Sequence, residues 1–405
     1  MHLDFSIPRR VRLVYFGRIG LGILRNYVTE TDVAIYENPR EHLNVWVALR
    51  MLLSRDLSEF SYYRAFLRWR KPKFVITMED NNLTFFATNV LLPSCTSIAI
   101  QNGLRKSLSH SASTNFMKEL RQVDSLGYDA DVIATLGGLG TDFFRSAMPN
   151  SRAKVIEVGN LMNNALRLDD NIPAGQPRLV FVSKFPNRGS KGIDDAWNSS
   201  VFIYSGEVAF TAEQYFRVDS VVARECATIA QELSMEFCVL GKRPKWQVGE
   251  YDYYAHHLDG LPWTYLPSSN QASSYEQLRP NDVIVNVDST IGYELLARGL
   301  RIAFITARMA VAGHDEITEY RFGNPLVQEP SGPYWTSVAT TKEIRRVVDY
   351  VATATAEQWH ADSSAARELL LQYDQDNSLL CREFDLLGVK NSGPRPWTRS
   401  LIPEN

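Results

Sequence analysis

Short apolar runs alternate with longer amphipathic stretches along most of this chain. In the first half the runs cover residues 11–16, 73–77, 97–100, 132–135 and 155–158. They are not alternations of apolar and polar positions, which is typical of strands buried on both faces of a parallel sheet. With helical stretches between them, they predict a Rossmann-like α/β domain over residues 1–168.

The same order of elements starts again after a polar stretch rich in turn formers, residues 169–177, which we interpret as a linker. Strands are predicted at residues 179–183, 236–240, 263–266, 283–287 and 301–306, and a long helix at residues 212–233. These elements predict a second Rossmann-like domain over residues 178–340. We expect closing helices in residues 341–390 and a tail without periodicity in residues 391–405.

Two such halves describe the GT-B architecture, an α/β fold of two Rossmann-like domains facing across a cleft, with C-terminal helices packing back. Ligands of such sheets bind at the carboxyl ends of the strands, so the loops that follow the strands are the candidate sites. The fold alone does not choose a function, because sugar-nucleotide epimerases share it.

Composition limits the function further. The chain has 405 residues, 45% of them hydrophobic, and a net charge of −3, so we expect no nucleic-acid partner. Its four cysteines form no CxxC pair and its histidines no HExxH motif, so we expect reduced core thiols and no metal. No apolar run approaches the roughly 18 residues that cross a bilayer. We expect a cytoplasmic protein, with any membrane contact peripheral, at the inner membrane.

The strongest chemical signal is the segment DSTIGYELLARG, which begins at Asp288. Ser289 and Thr290 open a helix at a strand end, and a helix N-terminus attracts phosphate. Glu294 lies four residues after Thr290 on the same face, where its carboxylate can accept hydrogen bonds from ribose hydroxyls. A capping box would need its acid one position earlier. We therefore predict that these residues bind a nucleotide donor.

Cationic loops follow two other strands of the second half. Ser183 and Lys184 follow the first of them, and Lys242 and Arg243 follow the second. At a shared sheet edge these cations would neutralise a donor phosphate or the carboxylate of an ulosonic acid. The alternative is a solvated charged surface.

Carboxylates follow a strand of the first half. Glu79 and Asp80 come directly after residues 73–77, where a carboxylate can act as a general base or a nucleophile. Adjacent residues of an extended segment point in opposite directions, so we expect one of them to face the cleft, and we choose Asp80. The alternative is a loop carboxylate that binds backbone N–H groups.

Polar residues also follow the next strand, where Gln101, Asn102 and Arg105 are candidates for binding the acceptor or the sugar. Arg105 can form a bidentate pair with a carboxylate or phosphate. His110 is a candidate acid or base. The alternatives are a solvated turn and a structural histidine.

The motifs T-x-x-D-N, from Thr77 to Asn81, and Q-N-G-x-R, from Gln101 to Arg105, resemble a family of bacterial surface-carbohydrate biosynthesis proteins. That family is similar in layout to the capsule and O-antigen Kdo transferases, which are GT-B enzymes that use CMP-linked ulosonic acids. The segment from Asp288 resembles the nucleotide-sugar-binding helix of GT-B transferases and UDP-sugar epimerases. The resemblance follows most of the chain in order.

The resemblance implies a glycosyltransferase that moves an ulosonic acid, such as Kdo from CMP-Kdo, onto O-antigen or capsule. A retaining route would pass through an adduct on a carboxylate such as Asp80. The implied partners are a nucleotide sugar as substrate, with no separate cofactor, and a lipid-linked or oligosaccharide acceptor. Fused or associated polysaccharide-assembly enzymes at the membrane are also implied. Three alternatives stay open: a CDP-polyol phosphate transferase, a UDP-sugar epimerase and a non-catalytic GT-B-like binding module.

Overall fold

Two parallel sheets, one in each half of the chain, organise the protein. The computed structural model describes residues 2–52, 56–104, 115–168, 177–185, 202–205, 208–242, 249–268 and 273–397. Contacts divide the chain into two units. Unit 1 contains Met1–Arg105, Asn115–Ala165 and Asp374–Asn405, and unit 2 contains Leu166–Tyr373.

Unit 1 is built on a six-stranded parallel sheet in the order β3-β2-β5-β6-β7-β8, and β1 and β4 pair separately from it. Its strands are β1 (His2–Asp4), β2 (Leu13–Phe16), β3 (Val33–Tyr36), β4 (His42–Asn44), β5 (Phe74–Thr77), β6 (Thr96–Ile100), β7 (Val132–Thr135) and β8 (Lys154–Glu157). Every residue of β2, β5 and β7 is buried, as the non-alternating apolar runs predicted.

Helices cover this sheet and pack phenylalanine and tyrosine rings against it, including Phe85 and Phe143. They are α1 (Leu21–Tyr27), α2 (Val45–Leu52), α3 (Glu59–Arg70), α4 (Thr88–Leu91), α5 (Asn115–Ser125), α6 (Gly138–Ala147) and α7 (Leu161–Ala165). A 3₁₀ turn, Leu83–Ala87, precedes α4. Ser58 begins α3 by accepting a hydrogen bond from the Ser61 N–H, as N-cap serines do.

Unit 2 has a seven-stranded sheet in the order β13-β12-β9-β14-β15-β17-β16, parallel except for its last pair. Its strands are β9 (Arg178–Val182), β12 (Glu236–Leu240), β13 (Thr264–Leu266), β14 (Val283–Asn286), β15 (Arg301–Ile305), β16 (Ser331–Gly332) and β17 (Trp335–Thr336), with a separate hairpin of β10 (Phe202–Ser205) and β11 (Val208–Thr211).

The helices of unit 2 are α8 (Ala212–Glu232), α9 (Glu250–His257), α10 (Ser273–Glu276), α11 (Thr290–Ala297), α12 (Arg308–Val311), α13 (Thr341–Thr353) and α14 (Ala356–Leu370). The long helix α8 begins with a capping box, in which Thr211 and Gln214 satisfy each other's backbone N–H groups. Its buried face includes Val222 and Cys226, which pack toward the sheet.

After α14 the chain returns to unit 1, where it forms α15 (Ser378–Leu387). The buried side chain of Asn377, just before α15, donates hydrogen bonds to the Tyr27 hydroxyl (2.7 Å) and the Leu161 carbonyl (2.9 Å). The sequence-based boundaries grouped residues 341–390 as one set of closing helices. In the structure α13 and α14 belong to unit 2 and α15 to unit 1, because polar contacts such as those of Asn377 hold the end of the chain in unit 1.

Most predicted strands have a counterpart in the structure. In the six-stranded sheet of unit 1, β3 is the strand that the pattern did not predict, and the short strands β1, β4, β10, β11, β16 and β17 were not predicted either. The sequence of β3, VAIY, is a short apolar run, and three of its four residues are only partly buried. Residues 169–176 of the predicted linker lie outside the described residues. All four cysteines are buried, unpaired thiols, as expected. Within the described ranges, no helix is both long and apolar enough to cross a membrane.

Candidate functional site

Each sheet has a point at which the order of the strands reverses. In unit 1 the chain moves from β2 outward to β3 and then resumes on the other side of β2 with β5. In unit 2 it moves from β9 through β12 to β13 and resumes on the other side of β9 with β14. Ligands of open α/β sheets bind outside the carboxyl ends of the strands at these switch points. The predicted site residues follow β5 and β6 in unit 1, and β9, β12 and β14 in unit 2.

At the switch point of unit 1, Glu79 is held by the loop that follows β2. Its Oε1 accepts a hydrogen bond from the Arg18 N–H at 3.1 Å. Gly17 has a φ of 83°, and a Cβ placed on it would lie 1.9 Å from the same oxygen. A glycine is therefore required both for the turn and for the approach of the carboxylate. This turn brings the backbone onto Glu79.

Asp80 points away from this loop and is fully buried, whereas Glu79 is partly exposed. Asp80 Oδ1 accepts a hydrogen bond from the Asn102 N–H at 3.2 Å, which ties the ends of β5 and β6 together. The sequence favours Asp80 as the residue that faces the cleft, whereas in the structure Asp80 is buried and Glu79 is partly exposed. A catalytic role for either residue stays a prediction. The two side chains have different partners, in agreement with the expectation that they diverge. Glu79 contacts the loop after β2 and is partly exposed, whereas Asp80 contacts the end of β6 and is buried.

Gln101 connects the ends of β6 and β7. Its Nε2 donates to the Gly103 carbonyl at 2.7 Å, and its Oε1 accepts from the Leu136 N–H at 2.9 Å. The side chain is buried, so its polar atoms position these two loops. The motifs at Thr77–Asn81 and at Gln101 are thus neighbours in space. Arg105 and His110 lie outside the described residues.

At the switch point of unit 2, Asp288 pairs with two cations. Lys184 Nζ lies 3.0 Å from Asp288 Oδ1, and Arg308 Nε lies 2.6 Å from Asp288 Oδ2. Burial by itself would raise the pKa of Asp288, but the charges of Arg308 and Lys184 hold it well below its usual range. The carboxylate therefore serves as counter-ion and positions Lys184, and a direct donor contact stays a prediction.

Arg308 lies at the centre of this ionic cluster and is fully buried. Besides Asp288, it contacts Asp219, with Nη1 2.9 Å from Oδ2, and its guanidinium lies 4.4 Å from the centre of the Tyr215 ring. Burial alone would lower the pKa of Arg308, and the two carboxylates raise it instead. Arg308 was not among the predicted residues. Its position after the end of β15 was visible in the sequence, but it was missed because it belongs to none of the motifs considered.

Glu250 is a second residue that sequence reasoning missed. Its buried carboxylate accepts hydrogen bonds from the Ser183 hydroxyl at 2.5 Å and the Tyr265 hydroxyl at 2.8 Å, and the Lys242 N–H lies 3.0 Å from both of its oxygens. Glu250 thus connects the loops after β9 and β12. No local sequence pattern indicates which distant groups a buried carboxylate will bind. Ser183 is therefore a buried linking residue in this structure.

Lys242 is the second cation at this edge, beside Lys184. The Lys242 side chain is exposed, but partial burial of its ammonium group and the nearby charge of Lys184 lower its pKa. Carboxylates, Glu250 among them, offset part of this effect. Arg243 lies outside the described residues.

Helix α11 begins at this edge as predicted. Ser289 is its N-cap, and the Ser289 side chain makes no capping hydrogen bond. The first turn, which contains Thr290, is partly exposed. Glu294, one turn inside, is buried and accepts a hydrogen bond from the Tyr275 hydroxyl. Burial and the charge of Glu294 raise the pKa of Tyr275 well above its usual value.

The helix α9, which carries Glu250, ends in a histidine that should make stability depend on pH. Burial, together with the charges of His256 and Arg224, lowers the pKa of His257 to about 4. Because its pKa in the unfolded chain is about 6.5, His257 favours the folded state above that pH, and this contribution is lost as the pH falls toward 4. Since the ring is only partly buried, we expect a loss of about 1–2 kcal/mol.

Chemical denaturation at several pH values tests this expectation. Between about pH 7 and pH 4, the free energy of unfolding should fall more steeply in the wild type than in His257→Asn. His360→Asn, at an exposed position of α14, is the matched control and should keep the wild-type slope. Parallel curves for all three proteins would show that His257 titrates as it does in the unfolded chain.

Solved structures with the same architecture support the fold. A "putative UDP-N-acetylglucosamine 2-epimerase" from Listeria monocytogenes aligns with a TM-score of 0.52 and 10% identity, over 96% of this chain and 100% of the other. The S. aureus MnaA–UDP co-structure aligns with a TM-score of 0.50 and 11% identity, over 96% of this chain and 100% of the other. The wall teichoic acid polymerase TagF aligns with a TM-score of 0.50 and 12% identity, over 94% of this chain and 89% of the other. At these identities the likeness concerns the fold alone, and it confirms the predicted GT-B type with two Rossmann-like domains.

Sequence comparison gives the family. No curated protein matches the chain. The model of a family described as "putative O-antigen biosynthesis protein" matches residues 98–385, well over half of the chain. That range includes the motif at Gln101, the cationic strand ends of unit 2 and the helix α11. This protein belongs to that family of O-antigen biosynthesis proteins.

Proposed function

We propose that this protein is a glycosyltransferase that takes a sugar from a nucleotide-activated donor and adds it to a bacterial surface polysaccharide. The donor nucleotide is assigned to the strand ends of unit 2. The observation that carries this assignment is the geometry of the switch point. There the ammonium group of Lys184, after β9, contacts Asp288 in the loop that leads into α11. Family membership supports the class of product, and the fold supports a nucleotide ligand.

Charge at this edge favours a phosphate. Arg308 is buried and engaged with Asp219 and Asp288. Among the described residues at this edge, the more accessible cations are Lys184, which also pairs with Asp288, and Lys242. Burial and, after it, the nearby charge of Lys184 lower the pKa of Lys242, so the two ammonium groups repel each other. An anion between them would relieve that repulsion, and the dipole of α11 adds to the attraction.

Glu294 is proposed to hold the ribose. Glu294 lies one turn inside α11, the helix whose start is assigned to the phosphate, and its carboxylate already accepts the hydrogen bond from Tyr275. Glu294 is buried, and the first turn of α11, at Ser289 and Thr290, is partly exposed, so we assign the approach of the ribose to that turn. This route agrees with a phosphate at the start of the same helix.

The donor is proposed to be a CMP-linked ulosonic acid such as CMP-Kdo, on the basis of the motif resemblance. Its carboxylate would be a second anion for Lys184 and Lys242. Two neighbours suggest other donors. MnaA was solved with UDP, and TagF is a wall teichoic acid polymerase, so UDP-sugars and CDP-linked polyols belong in the same experiment.

Thermal shift and calorimetry with CMP, CDP and UDP test the nucleotide site. Lys184→Met should weaken binding of the preferred nucleotide about ten- to a hundredfold and leave binding of the free nucleoside nearly unchanged, because the lost contact is to phosphate. Lys342→Met, at an exposed position of α13, is the control in the same unit. Equal losses for nucleotide and nucleoside would contradict a phosphate role for Lys184.

Product analysis then separates the reaction classes. Incubation with CMP-Kdo, a CDP-polyol or a UDP-sugar, each with a lipid-linked oligosaccharide, should give a larger acceptor mass with one donor. Epimerisation without a change in acceptor mass would replace the transferase proposal. Binding of a nucleotide with no turnover of any donor would favour a binding module.

A further inference from the structure

Helix α2 in unit 1 is apolar on both sides, although it lies at the surface. Val47 is fully buried, and Ala48 and Met51 pack against the core. On the opposite side, Trp46, Leu49 and Leu52 are 41%, 48% and 53% exposed. A surface helix normally carries polar residues on its outer side. The outer side of α2 therefore has the composition of a contact surface.

The N-terminal segment extends this apolar surface. Strand β1 pairs with β4, which leads directly into α2, and the Trp46 indole N–H donates to the Phe5 carbonyl at 2.9 Å. Phe5 and Ile7 are 68% and 71% exposed. We name these residues the outer apolar face: Leu3, Phe5, Ile7, Trp46, Leu49 and Leu52.

Contacts to Asn44 hold the segment in this position. The Asn44 Nδ2 donates to the Ser6 carbonyl at 2.9 Å and to Asp4 Oδ2 at 2.8 Å, so the segment is fixed to the start of α2. Asp4 is the acid within the segment. Its carboxylate also accepts the Ser6 N–H, and these hydrogen bonds engage it locally. The apolar side chains therefore project from an ordered backbone.

Arginines border the outer apolar face. Arg9 and Arg10 follow Ile7 and are exposed, and Arg70 Nη1 donates to the Arg9 carbonyl at 3.2 Å, which places a third guanidinium beside them. Arg50 lies on α2 itself, exposed, with its guanidinium 5.7 Å from the centre of the Trp69 ring. Aromatic and aliphatic side chains surrounded by arginine are the composition of surfaces that enter the interface of an anionic bilayer.

We propose that the outer apolar face docks unit 1 on an anionic phospholipid bilayer, with Phe5, Ile7 and Trp46 at the level of the headgroups. Charge complementarity selects this occupant. In a two-fold dimer through this face, the arginines of one copy would meet those of the other, which is unfavourable. The proposal is independent of the donor, and it would bring the protein to the surface where a lipid-linked acceptor resides.

Flotation with vesicles of phosphatidylcholine, with or without phosphatidylglycerol, tests the proposal on the full chain. The wild type should float with the anionic vesicles. Phe5→Ser/Ile7→Ser should lower its partitioning more than about tenfold, because two large side chains no longer enter the interface. Arg9→Ala/Arg10→Ala should lower it about fivefold per arginine on anionic vesicles and leave neutral vesicles unaffected.

The matched control is Leu126→Ser/Leu386→Ser, which removes equally exposed apolar side chains (57% and 70%) elsewhere on unit 1. This variant should float like the wild type. Equal losses in the control and the Phe5/Ile7 variant would overturn the proposal, as would a wild type that binds neither kind of vesicle. Concentration-dependent dimers that Phe5→Ser/Ile7→Ser abolishes, without vesicle binding, would assign the face to a second copy of the chain.

Discussion

Replacing Arg308 with methionine is expected to lower the free energy of unfolding by about 3–5 kcal/mol. Methionine retains much of the volume but removes the charge that compensates Asp219 and Asp288. Both carboxylates are buried, so without Arg308 they would stay as uncompensated charges or take up protons. Asp288 would keep Lys184, whereas Asp219 would lose its ion-pair partner.

Denaturant unfolding of Arg308→Met and of a surface control measures this effect. Arg346→Met removes a partly exposed pair with Glu343 on α13 and should cost no more than about 1 kcal/mol. We also expect Arg308→Met/Asp219→Asn to recover part of the loss, because the second change removes the uncompensated charge. A loss for Arg308→Met as small as that of the control would mean that the cluster contributes nothing to stability.

The second large effect concerns the chemical step. Glu79→Gln is expected to lower the transfer rate about 10²–10⁴-fold while donor affinity and stability stay close to wild type. Of the two carboxylates after β5, Glu79 is the partly exposed one, so it can meet a substrate. Glutamine retains an acceptor for the Arg18 N–H, which keeps the loop after β2 in place.

Asp80→Asn is the comparison that decides between the two carboxylates. Asparagine retains an acceptor for the Asn102 N–H, so we expect a loss within about tenfold. Glu37→Gln, which weakens a surface pair with Arg18 at the same loop, is the control and should leave the rate unchanged. A larger loss in Asp80→Asn than in Glu79→Gln, with both proteins folded, would return the role to Asp80. In that case a glycosyl adduct should map to the peptide that contains it.

The strands were predictable because parallel strands buried on both faces need continuous apolar runs, and those runs are local. The motifs at their ends were predictable for the same reason, since a strand end fixes where a following polar residue lies. Strand β3 was not predicted although Val33–Tyr36 is a short apolar run, so its local signal was available in the sequence. The helix α15 escaped as a separate element because its place in unit 1 depends on Asn377 meeting Tyr27, which is distant in the chain.

What the sequence alone determined is thus the GT-B class, the positions of the strand-end loops and the polar residues on them. What only the tertiary structure decided is which of those side chains face solvent and which pair with each other. Arg308 forms an ion pair with Asp288, and the Tyr275 hydroxyl donates a hydrogen bond to Glu294. Glu250 accepts hydrogen bonds from the Ser183 hydroxyl and the Lys242 N–H. These partners lie between 8 and 67 residues apart in the chain. Burial turns such distant polar groups into obligatory pairs, because an unpaired buried charge or donor is costly, and no local pattern can specify the partner.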